Sequence, residues 1–107
     1  MSGFEERKDT LENKFAFDQE KRFRAEARRN KLLAQWVGER AKMTADEIAA
    51  YAAELIAFDL KTPGDADVLA KVTADLTSRG VTLSSAEVRT EMTRCYQIAA
   101  EKTANEG

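Results

Sequence analysis

The sequence predicts an all-α fold, an antiparallel four-helix bundle preceded by a mobile amphipathic N-terminal arm. Apolar residues recur at i, i+3 and i+4 over several long windows, which is the spacing of core-facing helices. Two capping boxes, Thr44 with Glu47 and Ser84 with Glu87, mark helix starts. Pro63-Gly64 and Gly80 mark helix ends between them. The one stretch with strand-like residues, Val81-Thr82-Leu83, is too short to found a sheet.

In chain order, the first apolar stripe is narrow: Phe4, Leu11 and Phe15 in an otherwise charged segment. Continued in one helical frame, it is rotated about a quarter turn from the stripe that follows. The chain therefore breaks near Asp18 to Lys21, or the arm addresses a different surface from the helix after it. The arm is also a poor helix by itself, with Lys8 before Glu12 and Lys14 before Asp18, the weaker orientation for such pairs. An arm of residues 1–19, frayed when free, and a bundle of residues 20–107 are the expected units.

The first bundle helix is expected from Glu20 to Ala41, with Gly38 weakening its last turn. Phe23, Ala27, Asn30, Ala34, Val37 and Ala41 share one stripe with Leu33 at its edge, and this stripe is the expected core face. Leu32 and Trp36 lie on a second stripe beside Arg28 and Arg29. Trp and Arg are the residue types that most often anchor interfaces, although a helix with two neighbours also buries a wide arc. In the second helix Ile48, Tyr51, Ala52, Leu55 and Ile56 form a clear stripe, with Met43 and Ile48 as a staple across the cap. A third, from Asp65 to Arg79, is expected to be capped by Asp65 or Gly64 and to bury Val68, Leu69, Val72 and Leu76. The fourth carries Val88, Met92, Cys95, Tyr96 and Ala99 behind the Leu83 and Val88 staple.

Composition excludes several function classes. A single cysteine allows no internal disulfide, and the absence of histidine removes imidazole catalysis and the usual zinc sites. Cys95 lies within an apolar stripe and reads as a small core residue. The five glycines are isolated, so no glycine-rich loop cradles a phosphate. Carboxylates cluster at Asp46-Glu47 and at Asp65 with Asp67, but each cluster opens a helix, where capping and the helix dipole account for them. No span approaches the ~18 apolar residues of a membrane helix, and no signal-like segment opens the chain, so a cytoplasmic protein is expected.

Net charge is −2, yet residues 1–42 carry 11 Lys and Arg against 8 Asp and Glu, and residues 43–107 carry 6 against 11. That asymmetry favours internal attraction or a partner of mixed charge over a polyanion. Six cations fall between Lys21 and Lys31. They are spread around the helix instead of forming the single positive face that phosphate tracking requires. A nucleic-acid or ribosome-associated adaptor using this run is one reading of the chain, and a small nucleotide-binding helical bundle is another.

The third reading comes from resemblance. Phe4, Arg7, Glu12-Asn13-Lys14-Phe15-Ala16, Asp18, Glu20, Phe23 and Ala27-Arg28-Arg29-Asn30-Lys31-Leu32-Leu33 with Trp36 resemble the alphaproteobacterial zeta subunit family, inhibitors of the F-type ATP synthase. The specific motif covers roughly the first 40 residues, and the helical layout agrees over the whole chain. The resemblance implies a non-enzymatic four-helix bundle whose N-terminal segment blocks ATP hydrolysis by entering the F1 head among its alpha, beta and gamma subunits. It would be a monomer when free and would reach the membrane-bound synthase through F1. Carried onto this chain, the inhibitory positions are Phe4, Arg7, Leu11, Lys14, Phe15 and Asp18, with Arg28, Arg29, Leu32 and Trp36 docking or bracing the bundle end. The resemblance implies no required cofactor and no nucleic acid, and allows weak adenine nucleotide binding.

Overall fold

Residues 18–106 are described by the computed structural model, and four helices account for nearly all of them: α1 (Gln19–Ala41), α2 (Ala45–Lys61), α3 (Asp65–Ser78) and α4 (Ser85–Asn105). Among the described residues there is no strand. Short connections place each helix antiparallel to the one before it. The longest helix, α1, packs chiefly against α4 and α2, whereas α3 lies against α4 and more lightly against α2. Tertiary bonds confirm the directions. From its middle α1 reaches the end of α4 through Arg28 and Thr103, and the end of α2 through Asn30 and Asp59, while Gly38 near its own end lies against Ile48 near the start of α2.

Local chemistry sets the helix boundaries. The helix α1 begins where Asp18, with extended backbone, accepts a hydrogen bond from the Lys21 amide at 2.9 Å. This is the break anticipated between Asp18 and Lys21. Both predicted capping boxes form: the Thr44 and Ser84 hydroxyls accept from the amides of Glu47 and Glu87, whose carboxylates accept in return. The helix α1 ends with Lys42 in the left-handed region at φ 56°, while the Met43 amide bonds back to the Gly38 carbonyl. Gly80, at φ +83°, does the same service after α3, where the Val81 amide reaches the Leu76 carbonyl.

Each helix contributes one layer to the core: Leu33, Ala34 and Val37 from α1, Tyr51, Ala52 and Leu55 from α2, Val68, Val72 and Leu76 from α3, and Val88, Met92 and Cys95 from α4. The predicted stripes of α2, α3 and α4 are therefore the buried ones, with Ile48, Ile56, Leu69 and Tyr96 half-buried at their margins. For α1 the expectation needs correction. Its buried arc is wider and turned, comprising Ala25, Arg29, Asn30, Leu33, Ala34, Val37 and Gly38, while Phe23 remains 44% exposed. Two causes operate. Neighbours on both sides, α2 and α4, widen the arc. Asn30 faces Asp59 near the end of α2, so Phe23, about two helical turns earlier, lies at the edge of what α2 can cover.

Candidate functional site

The end of the bundle where Asp18 starts α1 also holds the C-terminal turns of α2 and α4 and the first turn of α3. Two carboxylates occupy unfavourable places there. Asp59 sits in the last turn of α2 and Glu106 caps the end of α4, where unsatisfied carbonyls and the negative end of the helix dipole repel anions. The two consecutive arginines of α1 resolve both problems. Arg29, only 1% exposed, donates from Nη2 to Asp59 at 3.3 Å and from Nη1 to Asp65 at 3.2 Å. Its Nε donates to the Asn30 side-chain oxygen Oδ1 at 2.9 Å, and the Asn30 side-chain Nδ2 donates to Asp59 at 3.2 Å. Arg28 donates to Thr103 at 2.9 Å and to the Glu106 carboxylate, which this bond holds below the usual carboxylate range.

Arg28 and Arg29 therefore brace the end of the bundle, one to each flanking helix. The face assigned to Arg29 in the sequence is corrected by this finding: its guanidinium points inward because Asp59 and Asp65 draw it there. A planar fork with several donors suits a role in which three acceptors from three helices converge. Of the two caps expected for α3, Asp65 or Gly64, the structure uses Gly64, at φ 136° and without a side-chain capping bond, and the Asp65 carboxylate is turned to Arg29.

Trp36 is half-buried against the core, and the Arg40 guanidinium lies over its ring at 4.4 Å from the centroid. Leu32 is exposed on the neighbouring arc. Asp18 is an exposed helix cap. Phe4, Arg7, Leu11, Lys14 and Phe15 lie outside the described residues. The cations from Lys21 to Lys31 form no single positive face, since Arg29 is buried and Arg28 is engaged by Glu106.

Beside this brace, α1 and α2 leave a small cleft lined by Phe23, Glu26, Ala27, Ile56, Asp59 and Leu60. Phe23 and Leu60, the latter 57% exposed, form its apolar rim. Glu26 is half-buried at its base, and burial, followed by the Asp59 charge, raises its carboxyl above the usual range. Sequence reasoning missed Glu26, Asp59, Leu60 and Glu106. The signal that could have found two of them is the presence of acidic residues at helix C-termini, where each needs a cation.

No group of three or more metal-ligating side chains is placed to hold a metal ion among the described residues. No helix there is long and apolar enough to cross a membrane. No curated protein and no solved structure matched the chain. One family model did match, described as ATPase inhibitor subunit zeta, and the match runs from residue 1 to residue 102. With nearly the whole chain covered, from the segment before Asp18 to the last turns of α4, the protein belongs to the ATPase inhibitor subunit zeta family, a family of regulatory subunits.

Proposed function

We propose that this protein inhibits ATP hydrolysis by the F1 head of a bacterial F-type ATP synthase, with residues 1–19 as the inhibitory arm and residues 20–107 as its carrier. The arm would fold as a helix into an interface between catalytic subunits. A rotary cycle requires each such interface to change in turn, so a wedge that stabilises one state stalls the cycle. Phe4, Leu11 and Phe15 would supply apolar anchoring, and Arg7, Lys14 and Asp18 would set register and reject wrong partners. The alpha, beta and gamma subunits are the proposed partners, and the cytoplasmic side of the membrane, at the synthase, is the proposed location. The mechanism calls for no cofactor and no catalytic residue in this chain.

The observation that carries this reading is the family match, which covers residues 1–102 and so takes in the segment before Asp18 together with the four helices. Within a family of ATPase inhibitors, the segment ahead of the α1 cap, with Phe4, Leu11 and Phe15 set among charges, is the candidate for the inhibitory element. The test is hydrolysis by cognate F1 with the whole protein and with a form lacking residues 1–17, which keeps the Asp18 cap. The whole protein should suppress hydrolysis; the shortened form should not, while its far-ultraviolet dichroism and melting remain those of a folded bundle. Equal suppression by both forms overturns the arm mechanism.

A further inference from the structure

The brace built by Arg28 and Arg29 leaves one carboxylate of α1 without a bonded partner. Glu26 makes no hydrogen bond and no ion pair among the described residues, although it is half-buried at the base of the α1–α2 cleft. Arg29 lies close enough to affect it electrostatically, but its guanidinium is already engaged by Asp59, Asp65 and Asn30. Local charge is biased toward the negative, with three carboxylates, Glu26, Asp59 and Asp65, against two guanidiniums, Arg29 and Arg22. Above this acidic base stand two large apolar side chains, Phe23 and Leu60, 44% and 57% exposed. A cleft with an apolar rim and an acidic floor is complementary to an apolar side chain with a cation one helical turn away.

We infer that the cleft between Phe23 and Leu60 is a second docking point for the ATPase head, taking a partner helix that presents an apolar residue flanked by lysine or arginine, with Glu26 as the acceptor. The inference rests on the proposed function and adds a surface on the bundle to the arm. Position favours this occupant. Phe23 is five residues beyond Asp18, so a partner that receives the chain before Asp18 also faces the start of α1. Docking at two connected points raises the effective concentration of each for its partner site, so the bundle would slow release of the arm.

The test is the dissociation constant of the full-length protein with cognate F1 for wild type, Leu60→Lys, Glu26→Gln and, as a control on α3, Ala74→Lys. Leu60→Lys should raise Kd about tenfold or more, as for loss of a central apolar anchor, and Glu26→Gln should raise it by roughly threefold to tenfold. Ala74→Lys should leave Kd unchanged. Thermal melts separate folding from binding, since Leu60 is exposed and Glu26→Gln should not destabilise the bundle. If wild type binds and Leu60→Lys and Glu26→Gln bind equally well, the cleft is no docking point and the arm alone carries association. If wild type does not bind at all, the function proposed above falls with it, which is a different result. Amide resonances of residues 1–17 that shift in free Leu60→Lys would make the chain's own arm the occupant; a self-association abolished by Leu60→Lys would make it a second copy. Either result overturns the assignment.

Discussion

Ile48 of α2 lies against the backbone of Gly38 in α1 so closely that a methyl group placed on Gly38 would come within 2.2 Å of Ile48 Cγ1 and 2.5 Å of Cδ1. The glycine that weakens the last turn of α1 is thus also a tight contact with α2. Helix propensity favours alanine by ~1 kcal/mol, but an inserted methyl in a packed seam typically costs ~1–3 kcal/mol.

Gly38→Ala should therefore lower stability by up to about 2 kcal/mol, despite being a helix-favouring change. The double variant Gly38→Ala with Ile48→Ala removes both clashing carbons, so the two changes should couple favourably in a urea-denaturation cycle. Simple additivity of the two losses would contradict the close contact.

Arg28 and Arg29 are adjacent and should differ sharply. Arg29→Ala leaves Asp59, 11% exposed, without its counter-charge, and removing one partner of a buried pair costs ~3–5 kcal/mol. The pair of Arg28 and Glu106 is more open, at 28% and 39% side-chain exposure, and Arg28→Ala should cost about 1 kcal/mol or less. Midpoints of urea unfolding at neutral pH check the order. Arg29→Lys should recover only part of the loss, because an ammonium cannot reach Asp59, Asp65 and Asn30 with a planar fork.

Glu26 sets a pH dependence of definite sign. Its carboxyl is raised in the folded protein by burial and then by Asp59, so the native state holds this proton more tightly than the unfolded chain does. Stability from this group is present in acid and is lost as pH rises through the raised folded value. Glu26→Gln never ionises. It should be more stable than wild type at pH 7, with the difference closing below the unfolded carboxylate value of ~4.3. A difference that grows toward acid would contradict the burial of Glu26.

Cys95 should be inert in the native protein. Burial, with help from the Glu91 charge and a hydrogen bond to Glu91, pushes its thiol up to about 12. An aromatic disulfide reagent at pH 8 should label it at the rate of global or local opening, and at least ~100-fold faster once the protein is unfolded in urea, because the thiolate is the reactive form. Rapid labelling under native conditions would place the thiol at the surface.

The local elements were legible because their causes are local. Thr44 with Glu47 and Ser84 with Glu87 close hydrogen-bonded rings within four residues, and the stripes of α2, α3 and α4 follow from the helical period alone, so sequence determines them wherever the chain goes. The all-α class and the family follow from the same short-range patterns and from the run between Phe4 and Trp36. Tertiary structure decided what depends on neighbours remote in the chain: that α1 buries Arg29 and leaves Phe23 exposed, that Gly38 is a contact and not merely a weak point, and that of the two candidate caps of α3 Asp65 answers Arg29 while Gly64 caps the helix. In each case a side chain's orientation is set by a partner roughly 10 to 80 residues away, and helical periodicity carries no information about which partner the connections will bring alongside.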